Sequence, residues 1–333
     1  MLNRPLKSET GGILPSERLY KETMFIVRQY LFAVLVCLPA FLQAQDAASQ
    51  KAVATIPYRL YDRYMVISTA LSGTTPSGLP PDSLHFIFDT GAEVTTLSKQ
   101  TADQLQLQTK DNGGLSGTDA VVVRVPTATL NVLYLDKTRL PLVKVYIEQL
   151  DEFRDLSIKI DGIIGVDLLK SFVVKIDYEK QVLQLFRSNK TPANTPGQRL
   201  PLSLNFNTPV IEGTFKLPDG QSISSRFHFI SGGEYGILFN FPFVEKHRLN
   251  TRLPVLSTDT VKDLYKELTY TNTSLPSLDL GPIHLDLVAA SYCKDVNDAG
   301  SLHEMAGSIG FMVWRQFRSI TINYSGRELF LEK

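Results

Sequence analysis

Residues 86–93 read Phe-Ile-Phe-Asp-Thr-Gly-Ala-Glu, and residues 227–234 read Phe-His-Phe-Ile-Ser-Gly-Gly-Glu. Each follows a strand-like apolar pattern, turns through a hydroxyl residue and a glycine, and precedes a further apolar stretch ending at Leu97 or Leu238. A second pair lies downstream, Gly-Ile-Ile-Gly at 162–165 and Gly-Ser-Ile-Gly at 307–310. Both are followed by a helix-like stretch reaching an aromatic, Phe172 or Phe317, and then by a strand–turn–strand over 173–186 or 320–331. The copies are offset by 141 residues at the first motif and 145 at the second. Two motifs in the same order at nearly the same offset indicate a duplicated lobe.

The rest of the pattern agrees with an all-β chain. Runs at 64–71, 86–88, 121–125, 142–147 and 173–178 are rich in Val, Ile, Tyr and Phe and are bounded by polar or Gly/Pro clusters. Helical patterns are short, at 98–107, 166–172 and 261–268. Asp219-Gly220, after Pro218, reads as a hairpin turn. Residues 188–201 hold three prolines and little apolar character, so they read as a linker between a first lobe, 45–187, and a second, 202–333.

Composition narrows the function. The 333 residues carry 34 basic and 34 acidic side chains, which gives no electrostatic argument for nucleic acid or an anionic membrane as partner. Two cysteines make no disulfide scaffold. Five scattered histidines give no metal-ligand spacing, so neither a metal nor another cofactor is expected. Residues 31–42 form an uncharged run, preceded by Arg28 and followed by Ala44, which is the layout of a secretory signal. The expectation is a leader over 1–44 with translation starting at Met24, cleavage after Ala44, and export to the periplasm or medium with no transmembrane span left. Alternatives are a buried core helix, or a lipoprotein attached through Cys37. After cleavage Cys293 is the one remaining cysteine, expected to be buried and free.

On the motifs at 86–98 and 161–169, FIFDTGAEVTTLS and DGIIGVDLL, the chain resembles the aspartic protease superfamily. It is bilobed like pepsin, and its DTGA wording is closer to retropepsin-like bacterial members. The resemblance implies two β-barrel-like lobes with a cleft between them. It also implies a peptide or protein substrate and two aspartates, one per lobe, that share a proton and activate a water. Carried over by position, Asp89 is the catalytic acid, Thr90 and Ser231 brace the two loops, and Gly91, Ala92 and Gly232 complete the turns. The departure is Ile230, which stands where the second acid belongs and can neither donate nor accept a proton. An isoleucine beside Asp89 would also desolvate it and raise its pKa.

Other acids do not replace the missing one. Glu93 and Glu234 hold equivalent places and suggest a shared ion pair with arginine; Asp167 suggests a helix N-cap, and Asp161 a turn. Dimerisation could supply a second Asp89, but the second lobe already resembles the natural partner of the first, so a monomer is expected. Residues 112–123, with Gly113, Gly114 and Gly117, are the candidate flap over the cleft. Three functions stay open: an exported aspartic-type endopeptidase using Asp89, a pseudoprotease that binds peptides or a partner protein without cutting, and a structural envelope protein.

Overall fold

The structure is a computed structural model, and it describes residues 51–71, 84–117, 122–130, 132–135, 137–141, 144–187, 191–262, 267–294 and 305–333. The leader over 1–44 therefore lies outside the described residues. So does the tip of the candidate flap, 118–121. Its two arms, Lys110–Gly117 and Val122–Ala128, pair as an antiparallel hairpin that closes at Gly117 opposite Val122.

The fold is all-β and bilobed. One sheet of fifteen strands holds the first lobe, and an eight-stranded sheet holds most of the second. The lobes share backbone: Val173–Asp177 pairs antiparallel with Ser319–Asn323, so the end of the chain returns to the sheet of the first lobe. Gln198–Pro201, expected as linker, is a strand of that same sheet, paired with Glu328–Glu332. Proline is tolerated there because this strand lies at the sheet edge, where one row of backbone groups has no ladder to fill.

The repeat is visible in the register. In the first lobe Leu84–Phe88 pairs parallel with Gly162–Ile164, which pairs antiparallel with Thr96–Ser98. In the second lobe Ser222–Phe229 pairs parallel with Met305–Ile309, which pairs antiparallel with Ile237–Phe239. Phe88 lies opposite Ile164 and Phe229 opposite Ile309. The lobes diverge by one residue after the motif: Gly162 faces Leu97, while Gly307 faces Phe239, so the counterpart of Leu97 is Phe239 rather than Leu238.

Burial explains the apolar runs. Phe86, Ile87 and Phe88 are all buried, so this strand is covered on both faces and lacks polar alternation. Phe86 and Phe88 join the main core, while Ile87 joins a smaller cluster with Val66, Leu150, Phe153 and Ile160 on the other face. In the second lobe Trp314 is fully buried and stacks on Phe229, with centroids 4.2 Å apart. Its indole N–H donates to the Ile309 carbonyl at 2.7 Å.

One further expectation is corrected. Of the helix expected over 261–268, residues 263–266 lie outside the described residues, and the rest is strand: Ser257–Lys262 and Glu267–Leu280 pair with Val261 opposite Leu268. The threonines at 258, 260, 269 and 271 favour strand through their stiff, branched side chains, and Leu268 buries against Cys293. Helices Phe241–His247 and Leu249–Arg252 follow the second motif instead, as Lys99–Gln104 follows the first. The turn at Asp219-Gly220 is present, with Gly220 at φ +88°. Cys293 is buried and free.

Replacing Trp314 by alanine removes the stack on Phe229 and leaves a cavity behind the second motif. The expected loss is about 3–5 kcal/mol of stability, read from the urea midpoint of the variant.

Candidate active site

Asp89 is the first residue past the strand Leu84–Phe88, and Ile230 the first past Ser222–Phe229. The Asp89 amide donates to the Ile164 carbonyl at 2.9 Å, and the Ile230 amide to the Ile309 carbonyl at 3.0 Å. Two strand ends, each held by its parallel neighbour, thus present positions 89 and 230 at the junction of the lobes. Gly165 lets this happen in the first lobe: a Cβ there would collide with the Asp89 carbonyl oxygen. The Val166 amide then donates to the Ala92 carbonyl at 2.9 Å, as the Phe311 amide does to Gly233 at 2.8 Å in the second lobe.

Thr90 and Ser231 are fully buried and hold each other across the lobe interface. The Thr90 amide donates to Ser231 Oγ and the Ser231 amide to Thr90 Oγ1, both at 3.0 Å. Each hydroxyl passes its own proton to the opposite strand, Thr90 Oγ1 to the Phe229 carbonyl at 2.6 Å and Ser231 Oγ to the Phe88 carbonyl at 3.3 Å. Four buried polar groups of the turn loops and two strand-end carbonyls are satisfied at once.

Asp89 Oδ1 accepts the Gly91 amide at 2.9 Å and the Gly232 amide at 3.0 Å. Gly91 stands two residues past Asp89, and Gly232 two residues past Ile230. An acid at 230 would be the natural acceptor for Gly232. Ile230 offers no lone pair, and the amide turns to Asp89. The Ile230 side chain faces Gly91: a Cβ added there would lie 2.7 Å from Ile230 Cδ1. A Cβ on Gly232 would collide with the Asp89 carboxyl, so the close approach across the lobes depends on both glycines.

Asp89 keeps part of its surface open. Burial of its carboxyl nevertheless pushes its pKa above the ordinary aspartate range, and the Gly91 and Gly232 amides pull the other way. Among the described residues no cation and no second acid hydrogen-bonds to it. No group of three His, Cys, Asp or Glu side chains among the described residues could hold a metal ion.

The neighbouring acids have other work. Asp167 is not an N-cap; it lies in the first turn of Val166–Ser171 and accepts the Thr95 amide at 2.9 Å and the Thr95 hydroxyl at 2.7 Å. Asp161 is no exposed turn residue. It is buried, accepts from Thr101 Oγ1 and the His85 amide, and pairs with Lys159 at 2.7 Å. Glu93 and Glu234 do not share a role. Arg63 donates to the Glu234 carbonyl at 3.2 Å and lies 3.9 Å from its carboxylate, whereas Glu93 is exposed near Tyr324. Sequence reasoning misses Arg63 because its partner is 171 residues away.

Replacing Ser231 by alanine leaves the buried Thr90 amide without its acceptor. A destabilisation of about 1–3 kcal/mol is expected in chemical denaturation.

Residues 81–171 match the family model described as gag-polyprotein putative aspartyl protease. No curated protein sequence matches the chain. Among solved structures, the aspartic proteinase from Irpex lacteus is similar over 84% of this chain and 97% of its own, at 12% identity and a TM-score of 0.49. A retropepsin-like aspartic protease from Rickettsia conorii is similar over 40% of this chain and 92% of its own, at 21% identity and a TM-score of 0.27. The matched span carries Asp89, Thr90, Gly91 and Gly165 in the geometry described above, so residues 81–171 are similar to aspartyl proteases.

Proposed function

We propose that this chain is a peptide-binding protein of the aspartic-peptidase type, in which Asp89 is the lone acid and hydrolysis is suppressed. An aspartic-protease fold supports a peptidase-like role. The observation that carries the binding reading is the double acceptance at Asp89 Oδ1, with Ile230 in the second acid position. Hydrolysis in this family needs one carboxylate as base and one carboxylic acid as proton donor. Losing one positioned acid or base typically costs roughly 10²–10⁴-fold, and about 10⁶ for groups that act as a unit. Desolvation of the Asp89 carboxyl favours its neutral form, which is a poorer base than the carboxylate.

The second reading is an aspartic-type peptidase working through an Asp89-activated water. The complete first motif favours it, because Gly91, Thr90 and Gly165 still hold Asp89 in place. In both readings the chain acts as a monomer, since Thr90 finds its partner hydroxyl within the same chain, and export through residues 1–44 is part of the proposal.

The test is cleavage of a mixed peptide library by the purified protein, read by mass spectrometry beside Asp89→Asn and Ile230→Asp. Under the binding reading the wild type cuts no faster than Asp89→Asn. Ile230→Asp supplies the second acid and gains cleavage, by roughly 10²–10⁴-fold, that a further Asp89→Asn abolishes. Wild-type cleavage that disappears in Asp89→Asn would establish the peptidase reading instead.

The ionisation of Asp89 gives a second check. A folded pKa above the unfolded one makes the contribution of Asp89 to stability greatest below the unfolded pKa. That contribution falls as pH rises towards the folded pKa. Asp89→Asn removes this loss. The variant is expected to gain on the wild type by up to about 1.4 kcal/mol per pH unit above roughly pH 4, until the folded pKa is passed. Thermal unfolding of the pair from pH 3 to 8 measures it, and a constant difference across that range would show an ordinary Asp89.

A further inference from the structure

We propose that the outer face of the first three strands binds a small amphipathic carboxylate, its charge at Arg59 and its apolar body over Val66. None of the residues of the candidate active site lines this cavity, so the inference stands apart from the peptide-binding reading.

The cavity follows from a fork in the sheet. Ala54–Tyr61 pairs with Val182–Phe186 through Pro57, and from Tyr58 onward it pairs with Tyr64–Leu71 instead. That second pairing stops at Ile67, while Ser68 still faces His85 on the third strand. A cavity of 630 Å³ opens where the strands part. Register fixes what faces it. Arg59 stands opposite Val66, and Ser68 opposite His85. Side chains two apart on a strand share a face, so all four lie on the same side of the sheet. Next to the cavity this face is covered by Leu150, Phe153 and Ile160, which pack on Val66 and Ile87. Ile158 of the same loop forms one wall of the cavity.

The lining selects the ligand. Ile56 and Val66 are buried, and Pro57, Tyr61 and Ile158 extend the apolar surface. Polar groups are few: the Arg59 guanidinium, the His85 ring and the hydroxyls of Thr55 and Ser68. No acid lines the cavity. Arg59 is exposed, and among the described residues no acid pairs with it. Asp161 lies behind His85, 3.9 Å from Nδ1, and its charge is already met by Lys159 at 2.7 Å. An unpaired guanidinium beside two free hydroxyls favours an anion, and its planar fork matches a carboxylate. A bare inorganic ion would leave the apolar surface wet, whereas a hydrocarbon body covers it. Small-molecule sites are built in this way, in cavities of roughly 300–1,000 Å³ with an apolar lining and a few placed polar groups.

The test uses the full chain labelled with ¹⁵N at about pH 7, where a carboxylic acid is ionised. Octanoate is titrated beside octanamide, which lacks the charge, and acetate, which lacks the apolar body. Saturable shifts of the Thr55, Arg59, Val66, Ser68 and His85 amides are expected with octanoate, and binding at least about tenfold weaker with either control. Arg59→Gln is expected to weaken octanoate about tenfold, with the amide spectrum elsewhere unchanged. Ser68→Glu, an exposed position, places an acid in the cavity and is expected to abolish octanoate binding while admitting octylammonium. Equal affinity for octanoate and octanamide, or octanoate binding indifferent to Arg59→Gln, overturns the carboxylate assignment. Shifts confined to other residues, or no saturable shift up to about 10 mM octanoate, overturn the site itself.

Discussion

Thr90 and Ser231 each accept the other's amide proton and each donate to the strand that carries the other. This exchange sets the distance and orientation between the lobes at the point where positions 89 and 230 meet. It is buried, so water cannot replace any of its bonds without opening the interface. Gly91 and Gly232 are the residues beyond it, and their amides converge on one carboxylate oxygen because the exchange has already brought the two loops together. The interlobe sheet, through Val174 opposite Ile322, ties the same two halves farther along the chain.

With that frame in place, one substitution changes the chemistry without changing the architecture. Ile230 keeps its backbone bond to Ile309, as Asp89 keeps its bond to Ile164. What is lost is a pair of lone pairs. The amide that an acid at 230 would hold turns to Asp89, and burial without a partner acid favours the neutral carboxyl. The result is an intact two-lobed frame around a single carboxyl that accepts both turn amides.

Much of this is legible in the sequence. The two motifs, their order and their offsets of 141 and 145 residues correspond to the parallel pairings of Phe88 with Ile164 and Phe229 with Ile309. Apolar strands ending in a hydroxyl and a glycine carry a local signal, because the turn demands those residue types. The roles of Asp161 and Asp167 are not legible. An acid before glycine or at the start of a helix has the same local pattern whether it caps, turns or anchors a buried network. The stretch 261–268 misleads for another reason, since its apolar spacing fits a short helix while Val261 and Leu268 pair with each other on neighbouring strands.

The sequence by itself determined that two homologous halves exist, that one bears an acid and that the other bears an isoleucine, since these follow from residue identity and spacing. Only the tertiary structure decided which groups surround that acid. The convergence of Gly91 and Gly232 on one oxygen, the exchange between Thr90 and Ser231, and the hold of Arg63 on Glu234 all join residues that the folded lobes bring together. The last two span 141 and 171 positions of the chain. Local preference acts over a few residues, whereas the field and the desolvation at a carboxyl are set by whatever the fold places within a few ångströms of it.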